Sequence, residues 1–369
     1  RLGSYPLYVR ALAQVKLAAA RANRDAGALP PAATRAIESA AAALIAGEHL
    51  DQFPVDVLGG GGSIAINVNV NEVIAALANS EGSRRGRAAR IEPQDVNASQ
   101  STADVCHTAA RLAIASAGTA LLAAVDGCVA AIRQLDARFG AVLTLARTCL
   151  RDAMPVTYTV LLSGYIEVLE RRRRELARQI AGLSTVTLGG TVIGTGAGAP
   201  AAYRRRVVPE LAKITGLELC RHRHPADALQ HSDDLAAVSA EVASLAQAGS
   251  KIAADLRLLA SGPSGGFAEV ILPHVQQGSS FFAGKSNPVV PETMIQCAFQ
   301  VLACNHAVQL AAGAAELQLN VYDGAAAINV MDAIAMLTSA LQHLDQQCLQ
   351  ALEVDEQRCQ QLAATAKHR

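Results

Sequence analysis

Tryptophan is absent from this chain of 369 residues, and all aromatic residues together make up only 3%. There is little from which to build stacking platforms for nucleic-acid bases. Net charge is absent as well, since 32 basic residues balance 32 acidic ones. A surface without a dominant sign has no field to hold nucleic acid or an anionic membrane. No run reads as a secretory signal, and no uninterrupted apolar span is long enough for a bilayer crossing. Cysteines at CxxC or zinc-ligand spacing are missing. The eight that occur (Cys106, Cys128, Cys149, Cys220, Cys297, Cys304, Cys348, Cys359) are expected to be mostly small core residues in a reducing cytoplasm. Tandem repeats are missing too.

What is present is alanine-rich and helical. The chain is 51% hydrophobic and 17% charged, so it can bury a large core. Helices are expected over about 5–23 and 31–46, separated by "DAGALPP". Four consecutive glycines at 59–62 mark a loop, and "NEVIAALAN" starts the next helix. The polar stretch 80–100, "SEGSRRGRAARIEPQDVNASQ", reads as a surface loop. Helical patterns then cover about 103–137, 143–151 and 156–181. After the loop "LSTVTLGGTVIGTGAGAP" they resume over about 233–260, 291–316 and 325–352. Several exceed the usual helix length, which points to a bundle of long helices shared between subunits. "ERRRRE" at 170–175 reads as a solvated helix face with paired charges. His222, His224 and His231 lie around Pro225 in what reads as a surface loop, and His306 reads as a core histidine. The glycines of "GGTVIGTG" lack GxGxxG spacing and imply no dinucleotide.

Four polar segments stand apart from the helical background: "NVNVNEV" (67–73), "SQSTADV" (99–105), "ARTCLRDA" (146–153) and "GSSFFAGKSNPVVPE" (278–292). Each lies at or near an expected helix end, where unpaired backbone N–H groups and short hydroxyl side chains bind anions. Taken singly, such residues are more often helix caps.

Taken together, the segments resemble the aspartase/fumarase superfamily. "GSSFFAGKSNPVVPE" is similar to that family's signature, whose usual form is GSSxMPxKxNP. "DQFPVDV", "NVNVNEV", "SQSTADV", "RTCLRDAMPVT", "LGGTVIGTG", "LRLLASGP" and "LQLNVYD" follow in the family's order and approximate spacing. "DQFPVDV" and "LQLN" look closer to aspartate ammonia-lyase than to fumarase. The resemblance implies a mainly α fold with a long-helix bundle, assembled as a homotetramer around a twenty-helix core. Its active sites would each be shared between three subunits. It implies an N-terminal helical domain over 1–98, a central bundle over 99–352 with the lid loop 278–292, and the start of a small C-terminal domain over 353–369. Compared with the family, the chain starts late, on Arg1, and stops early. A small dicarboxylate is the implied substrate, in the cytoplasm, with no cofactor, metal, nucleic acid or membrane involved.

The family chemistry is anti-elimination across a succinate-type Cα–Cβ bond to give fumarate. Ser279 matches the base that removes the Cβ proton. A serine alkoxide needs positive potential, which loop N–H groups and Lys285 supply. Ser280, Lys285 and Asn287 match substrate-binding positions on the same loop, and Gly278 and Gly284 allow it to close as a lid. Ser101 and Thr102 match the hydroxyl pair that grips a carboxylate, and Thr148 matches another substrate contact. Asn69 and Glu292 match supporting positions; Glu292 corresponds to the acid that partners a histidine in many members.

The departures cluster. That histidine position is Cys149, a weak hydrogen-bonding group. The usual Asn after the hydroxyl pair is Ala103, and the usual Thr three residues before Asn67 is Ile64. In aspartases these positions surround the substrate amino group. The usual prolines at two further positions are His107 and Ala283, and Glu92 replaces a second-site histidine. Four readings stay open: a lyase whose leaving group is not ammonia, a plain aspartase acting on aspartate, a catalytically silent relative with a structural or partner role, and a fumarate hydratase-like enzyme.

Overall fold

The computed structural model describes residues 1–84 and 90–366. Proline opens the first two helices, α1 (Pro6–Asp25) and α2 (Pro31–Ile45), at positions where its missing N–H costs nothing. After α2 the chain turns at Gly47, whose φ is +89°. The glycine run then leads into α3 (Ile64–Arg84), and α4 (Pro93–Val96) is a single turn closed by Glu92 and Asp95. The longest helix, α5 (Thr102–Phe139), is followed by the strands β1 (Leu143–Thr148) and β2 (Arg151–Thr157) and by α6 (Tyr158–Gly182). Next come β3 (Thr185–Val186), α7 (Ala201–Thr215), β4 (Cys220–Arg221) and α8 (Pro225–Gln230). The chain continues through α9 (Asp233–Leu259), β5 (Val270–Ile271), α10 (Val289–Gly313) and α11 (Asp323–Gln347). It finishes with β6 (Glu353–Val354) and α12 (Glu356–Ala364), the latter capped by Asp355. The fold is mainly helical, as expected.

Four local expectations need correction. Residues 143–151 are not helical: β1 and β2 form an antiparallel hairpin pairing Thr148 with Arg151. The two-residue alternation Leu143, Leu145 and the Pro155 that follows fit a strand pair better than a helix. The helix placed at "NEVIAALAN" begins earlier, at Ile64, and takes in the first residues of the stretch read as a loop. Residues 85–89 of that stretch lie outside the described residues. No helix is expected between the loop ending at Pro200 and residue 233, yet α7 forms there with Pro209 inside it, and Tyr203, Val207 and Leu211 recur at helical spacing and are buried. Residues 225–230 are helical rather than a surface loop: Pro225 starts α8, where it sits in the first turn.

The chain forms two compact units, and the breaks between them fall inside helices. One comprises Arg1–Gly118, Gln179–Ser239 and Asn305–Met331. Its core includes Leu12, Val15, Ile37, Leu44, Ile66, Ile74 and Tyr203 from α1, α2, α3 and α7. The other comprises Thr119–Arg178, Ala240–Cys304 and the chain from Asp332 onward. There Ile132, Leu135, Tyr158, Leu162, Tyr165, Leu256 and Leu349 are buried, and α12 packs on β1. All eight cysteines are free; Cys106, Cys128, Cys348 and Cys359 are buried, whereas Cys149 and Cys220 are exposed. His306 is exposed on α10 rather than buried. In "ERRRRE", Arg172 pairs with Glu241, Arg173 with Asp126, and Arg174 with Glu170.

By length and composition, α5 and the stretch Asp323–Ala351 could cross a bilayer, which corrects the expectation drawn from uninterrupted runs. However, 50% and 56% of their apolar windows are buried within the chain itself. In addition, α5 carries the buried charges Asp104 and Arg111.

Arg111 is wholly buried and is the largest such side chain. Its Nε and Nη2 donate to the two oxygens of Asp234 at 2.9 and 2.8 Å, and its Nη1 donates to Asp323 Oδ2 at 2.8 Å. Ser232 donates to the other oxygen of Asp323, and Asn320 donates to Ser232. The triad thus clamps the starts of α9 and α11 to α5. Burial raises the Asp323 carboxyl, but the guanidinium outweighs it and holds the group at about 2. Because the folded value lies below the unfolded one, this contribution is present above about pH 4 and lost as pH falls toward 2. Arg111→Met leaves two carboxylates without their partner. It is expected to lower the unfolding free energy by about 3–5 kcal/mol, read as a fall in the urea midpoint. An unchanged midpoint would remove the triad from the fold's supports.

Candidate active site

The start of α5 is built around Asp104. One of its oxygens accepts the Ser101 N–H at 2.9 Å, and the Ser101 hydroxyl accepts the Ala103 N–H at 3.2 Å. This reciprocal pair is the cap that "SxxD" spells in sequence. The other oxygen accepts the N–H groups of Gly189 and Thr191, each at 3.0 Å. Burial pushes the Asp104 carboxyl up, against these three donors and Lys16. The "LGGTVIGTG" segment is therefore a structural turn that braces α5. Gly189, at φ +87°, supplies backbone there that other residues rarely adopt.

Ser101 and Thr102 flank this first turn and are half-buried, at the positive end of a 38-residue helix. Thr102 Oγ1 accepts from Asn67 Nδ2 at 3.1 Å. Ala103 lines a small cavity of about 20 Å³ together with Gly62, Ser63, Thr102 and Asn320. Ile64, next to Ser63, is 53% exposed and offers no polar atom. Asn69 points elsewhere, donating to the Gln52 carbonyl and so pinning "DQFPVDV" to α3. His107 is buried, with Nε2 donating to the Ala228 carbonyl and Nδ1 accepting from the Thr187 hydroxyl. Burial and the nearby Arg111 lower its pKa to about 4, so the ring is neutral and structural.

Thr148 and Cys149 lie at the tip of the β1–β2 hairpin and are exposed. The two-residue connection is Cys149–Leu150, with φ of +52° and +56°. This is the left-handed region that such turns require and that glycine and asparagine fill most readily. Along the hairpin, the fully buried Glu269 accepts from Thr144 and pairs with Arg147, whose guanidinium stacks on the Phe267 ring. A cavity of about 350 Å³ opens beside it, lined partly by Leu150, Tyr158, Lys251 and Phe267.

The loop 278–288 gathers its own set. Ser279 Oγ accepts the N–H groups of Phe281 and Phe282 at 3.0 and 2.9 Å. Asn287 Nδ2 donates to the Gly278 carbonyl at 2.6 Å, which closes the loop on itself. The approach is tight enough that a Cβ on Gly278 would fall 2.1 Å from the Lys285 carbonyl oxygen. The Lys285 ammonium sits 6.0 Å from the centre of the Phe282 ring, and Ser280 is exposed. Glu292, in the first turn of α10, pairs with Arg257 at 3.3 Å. No hydrogen bond joins this loop to the hairpin tip among the described residues.

Sequence reasoning passed over Lys16, Asn97 and the side-chain role of Asn67. The clue was a single lysine inside the otherwise nearly charge-free run "ALAQVKLAAA" of α1. Replacing Cys149–Leu150 by Asn–Gly is expected to raise the unfolding free energy by about 1 kcal/mol per position, measured by urea titration. A loss of similar size would mean that the turn is not the left-handed one described.

A family model described as Lyase matches residues 5–303. Aspartate ammonia-lyase of Pseudomonas aeruginosa is 40% identical over 370 aligned residues, covering 98% of this chain and 77% of its own length. Fumarate hydratase class II 1 of the same organism is 37% identical over 353 residues, 95% of this chain and 76% of its own length. A crystal structure of fumarate lyase:delta crystallin from Brucella melitensis, bound to cobalt, superposes with a TM-score of 0.95 at 37% identity, covering 99% of this chain and 80% of that one. Recombinant class II fumarase from Schistosoma mansoni superposes with a TM-score of 0.93 at 27% identity, covering 97% and 78%. A match of this extent, over the same segments that form the α5 start, the hairpin and the Ser279 loop, places the chain in the aspartase/fumarase superfamily of lyases, with an aspartate ammonia-lyase-like sequence.

Proposed function

We propose that this chain is a lyase that eliminates a substituent from a substituted succinate to give fumarate, and that its preferred leaving group is not ammonia. Ser279 is the base. Its alkoxide takes the Cβ proton, the electron pair delocalises into the adjacent carboxylate as an enediolate, and the bond from Cα to the leaving group then breaks. The observation that carries this is the pair of backbone N–H groups converging on Ser279 Oγ, with Lys285 and Asn287 on the same short loop. Two fixed donors on an oxygen are what favours its anionic form. Ser101 and Thr102, at a helix N-terminus, and Thr148 would hold carboxylate oxygens.

The loop, the hairpin tip and the α5 start would be completed as one site by other copies of the chain, in a cytoplasmic homotetramer. Large apolar side chains left exposed support assembly: Phe299 and Leu310 on α10 are 60% and 61% exposed, and Met154 on β2 is 62% exposed. Light scattering at micromolar concentration is expected to give a tetramer; a stable monomer would contradict it.

The choice of leaving group rests on Ile64, Ala103 and Cys149. An ammonium at Cα needs acceptors and negative potential, and an isoleucine and an alanine provide neither. Losing even ~3 kcal/mol in the transition state slows a reaction on the order of 100-fold. A bulkier, less hydrated substituent avoids that cost. A hydratase-like activity is the second reading, favoured by the similarity to a fumarate hydratase noted above.

Fumarate formation, followed by ultraviolet absorbance, should be compared for aspartate, malate and N- or S-substituted succinates. A substituted succinate is expected to outpace aspartate by about 100-fold or more. Aspartate as the best substrate would overturn the leaving-group proposal, malate as the best would favour the hydratase, and no turnover of any would favour a silent relative. Ser279→Ala is expected to cut turnover by at least about 10³-fold while fumarate still binds, because the carboxylate-holding groups remain. Near wild-type turnover would move the base elsewhere.

A further inference from the structure

Lys16 is the one lysine buried to 0% exposure among the described residues, in the middle of α1. Such a charge is expected to have a carboxylate partner. Instead its ammonium donates to the side-chain oxygen of Asn97 at 3.0 Å. The same oxygen accepts from Asn67 Nδ2 at 3.1 Å, and that NH2 group also donates to Thr102 Oγ1 at 3.1 Å. These contacts leave little freedom of orientation. An ammonium can only donate, so Asn97 must turn its oxygen toward Lys16 and Asn67. Asn67 must then turn its NH2 toward Asn97, and the second N–H of that group falls on Thr102. Thr102 Oγ1 is thereby an acceptor within the protein, and its own proton is left to be donated outward.

We propose that Lys16 is a positioning residue: through Asn97 and Asn67 it fixes the Thr102 hydroxyl as a donor toward a substrate carboxylate. This rests on the reading above that Thr102 grips a carboxylate. Lys16 touches no substrate itself. Its positive charge adds to the field at the start of α5, where an anion would sit, and it polarises each donor in the chain of hydrogen bonds. The Asn67 side-chain oxygen is buried without a hydrogen-bond partner, so the NH2 group carries all of that residue's side-chain bonding.

The relay has a pH signature. Burial lowers the Lys16 ammonium to about 7. The titratable groups that bear on it are Asp104 and Cys106, both on α5. Burial pushes the Cys106 thiol up to about 12, so it stays neutral, and burial raises the Asp104 carboxyl against its three N–H donors and Lys16. Below about pH 7 the ammonium is charged and the relay points one way. As pH rises through that value the charge is lost, and a neutral amine no longer dictates how Asn97 and Asn67 turn.

The test is fumarate affinity, measured by calorimetry on the full chain between pH 6 and pH 8.5, for wild type, Lys16→Met and Thr102→Ala. Wild-type affinity is expected to fall as pH rises through neutrality. At pH 6, Lys16→Met is expected to bind fumarate roughly tenfold more weakly, with a flat profile and a melting temperature no lower than wild type. A merely structural lysine would move the melting temperature and leave the affinity and its pH profile alone, and that result would overturn the inference. If Lys16→Met does not fold, the wild-type profile decides, and a flat one overturns it. Failure of wild type to bind fumarate, or wild-type affinity in Thr102→Ala, would overturn the functional reading of Thr102 and this inference with it.

Discussion

A single buried carboxylate organises the first turn of α5. Asp104 accepts the N–H of Ser101 with one oxygen and those of Gly189 and Thr191 with the other. Leaving three such donors unpaired in the interior would cost several kcal/mol, so this arrangement fixes both the helix start and the glycine turn that braces it. Part of the carboxylate binding proposed above depends on that start: the hydroxyls of Ser101 and Thr102, the positive end of the helix, and the amide chain from Lys16. Seven residues further on, Arg111 anchors the same helix to the beginnings of α9 and α11. The buried charges of α5 thus lie in its first three turns.

The long helices were legible because alanine-rich apolar periodicity persists over many turns and few residues interrupt it. Boundaries were legible where a cap has its own signature, as with Ser101–Asp104 or Pro31. Where tertiary contacts override the local pattern, reading failed. The hairpin β1–β2 is held by the buried Glu269, far away in sequence, which Thr144 and Arg147 both contact. Nothing within 143–151 announces that partner. No helix was expected over α7, which carries Pro209 inside it, although its buried face keeps helical spacing. The site residues were legible as a set because their types and order resemble a family. Their local roles were not. Asn69 looks like its neighbour Asn67 in "NVNVNEV", yet one pins a backbone carbonyl and the other reaches Thr102. Successive odd positions on a helix face different neighbours, so a motif written along the chain does not say which member meets the ligand.

Two kinds of change meet in this chain. The groups suited to holding and deprotonating a dicarboxylate are present: hydroxyls at a helix N-terminus, a lysine and an asparagine on the loop 278–288, and a serine oxygen facing two N–H donors. The positions that would face a substituent at Cα are apolar or weakly polar: Ile64, Ala103 and Cys149. Loss of catalysis by drift would be expected to erode both sets alike. Loss of polarity at Ile64, Ala103 and Cys149 beside retention of Ser279, Lys285 and Asn287 instead fits a change in what the Cα side would have to accommodate.

Equilibrium binding separates the two sides without requiring turnover. In the Ser279→Ala protein, the affinities of succinate and aspartate, measured under identical conditions, differ only in what the site does with an ammonium at Cα. A pocket that has kept its carboxylate grip and lost its amine site binds succinate more tightly than aspartate, by roughly tenfold or more. Aspartate binding as tightly as succinate, or more tightly, would show that the amine is still recognised and would contradict the account.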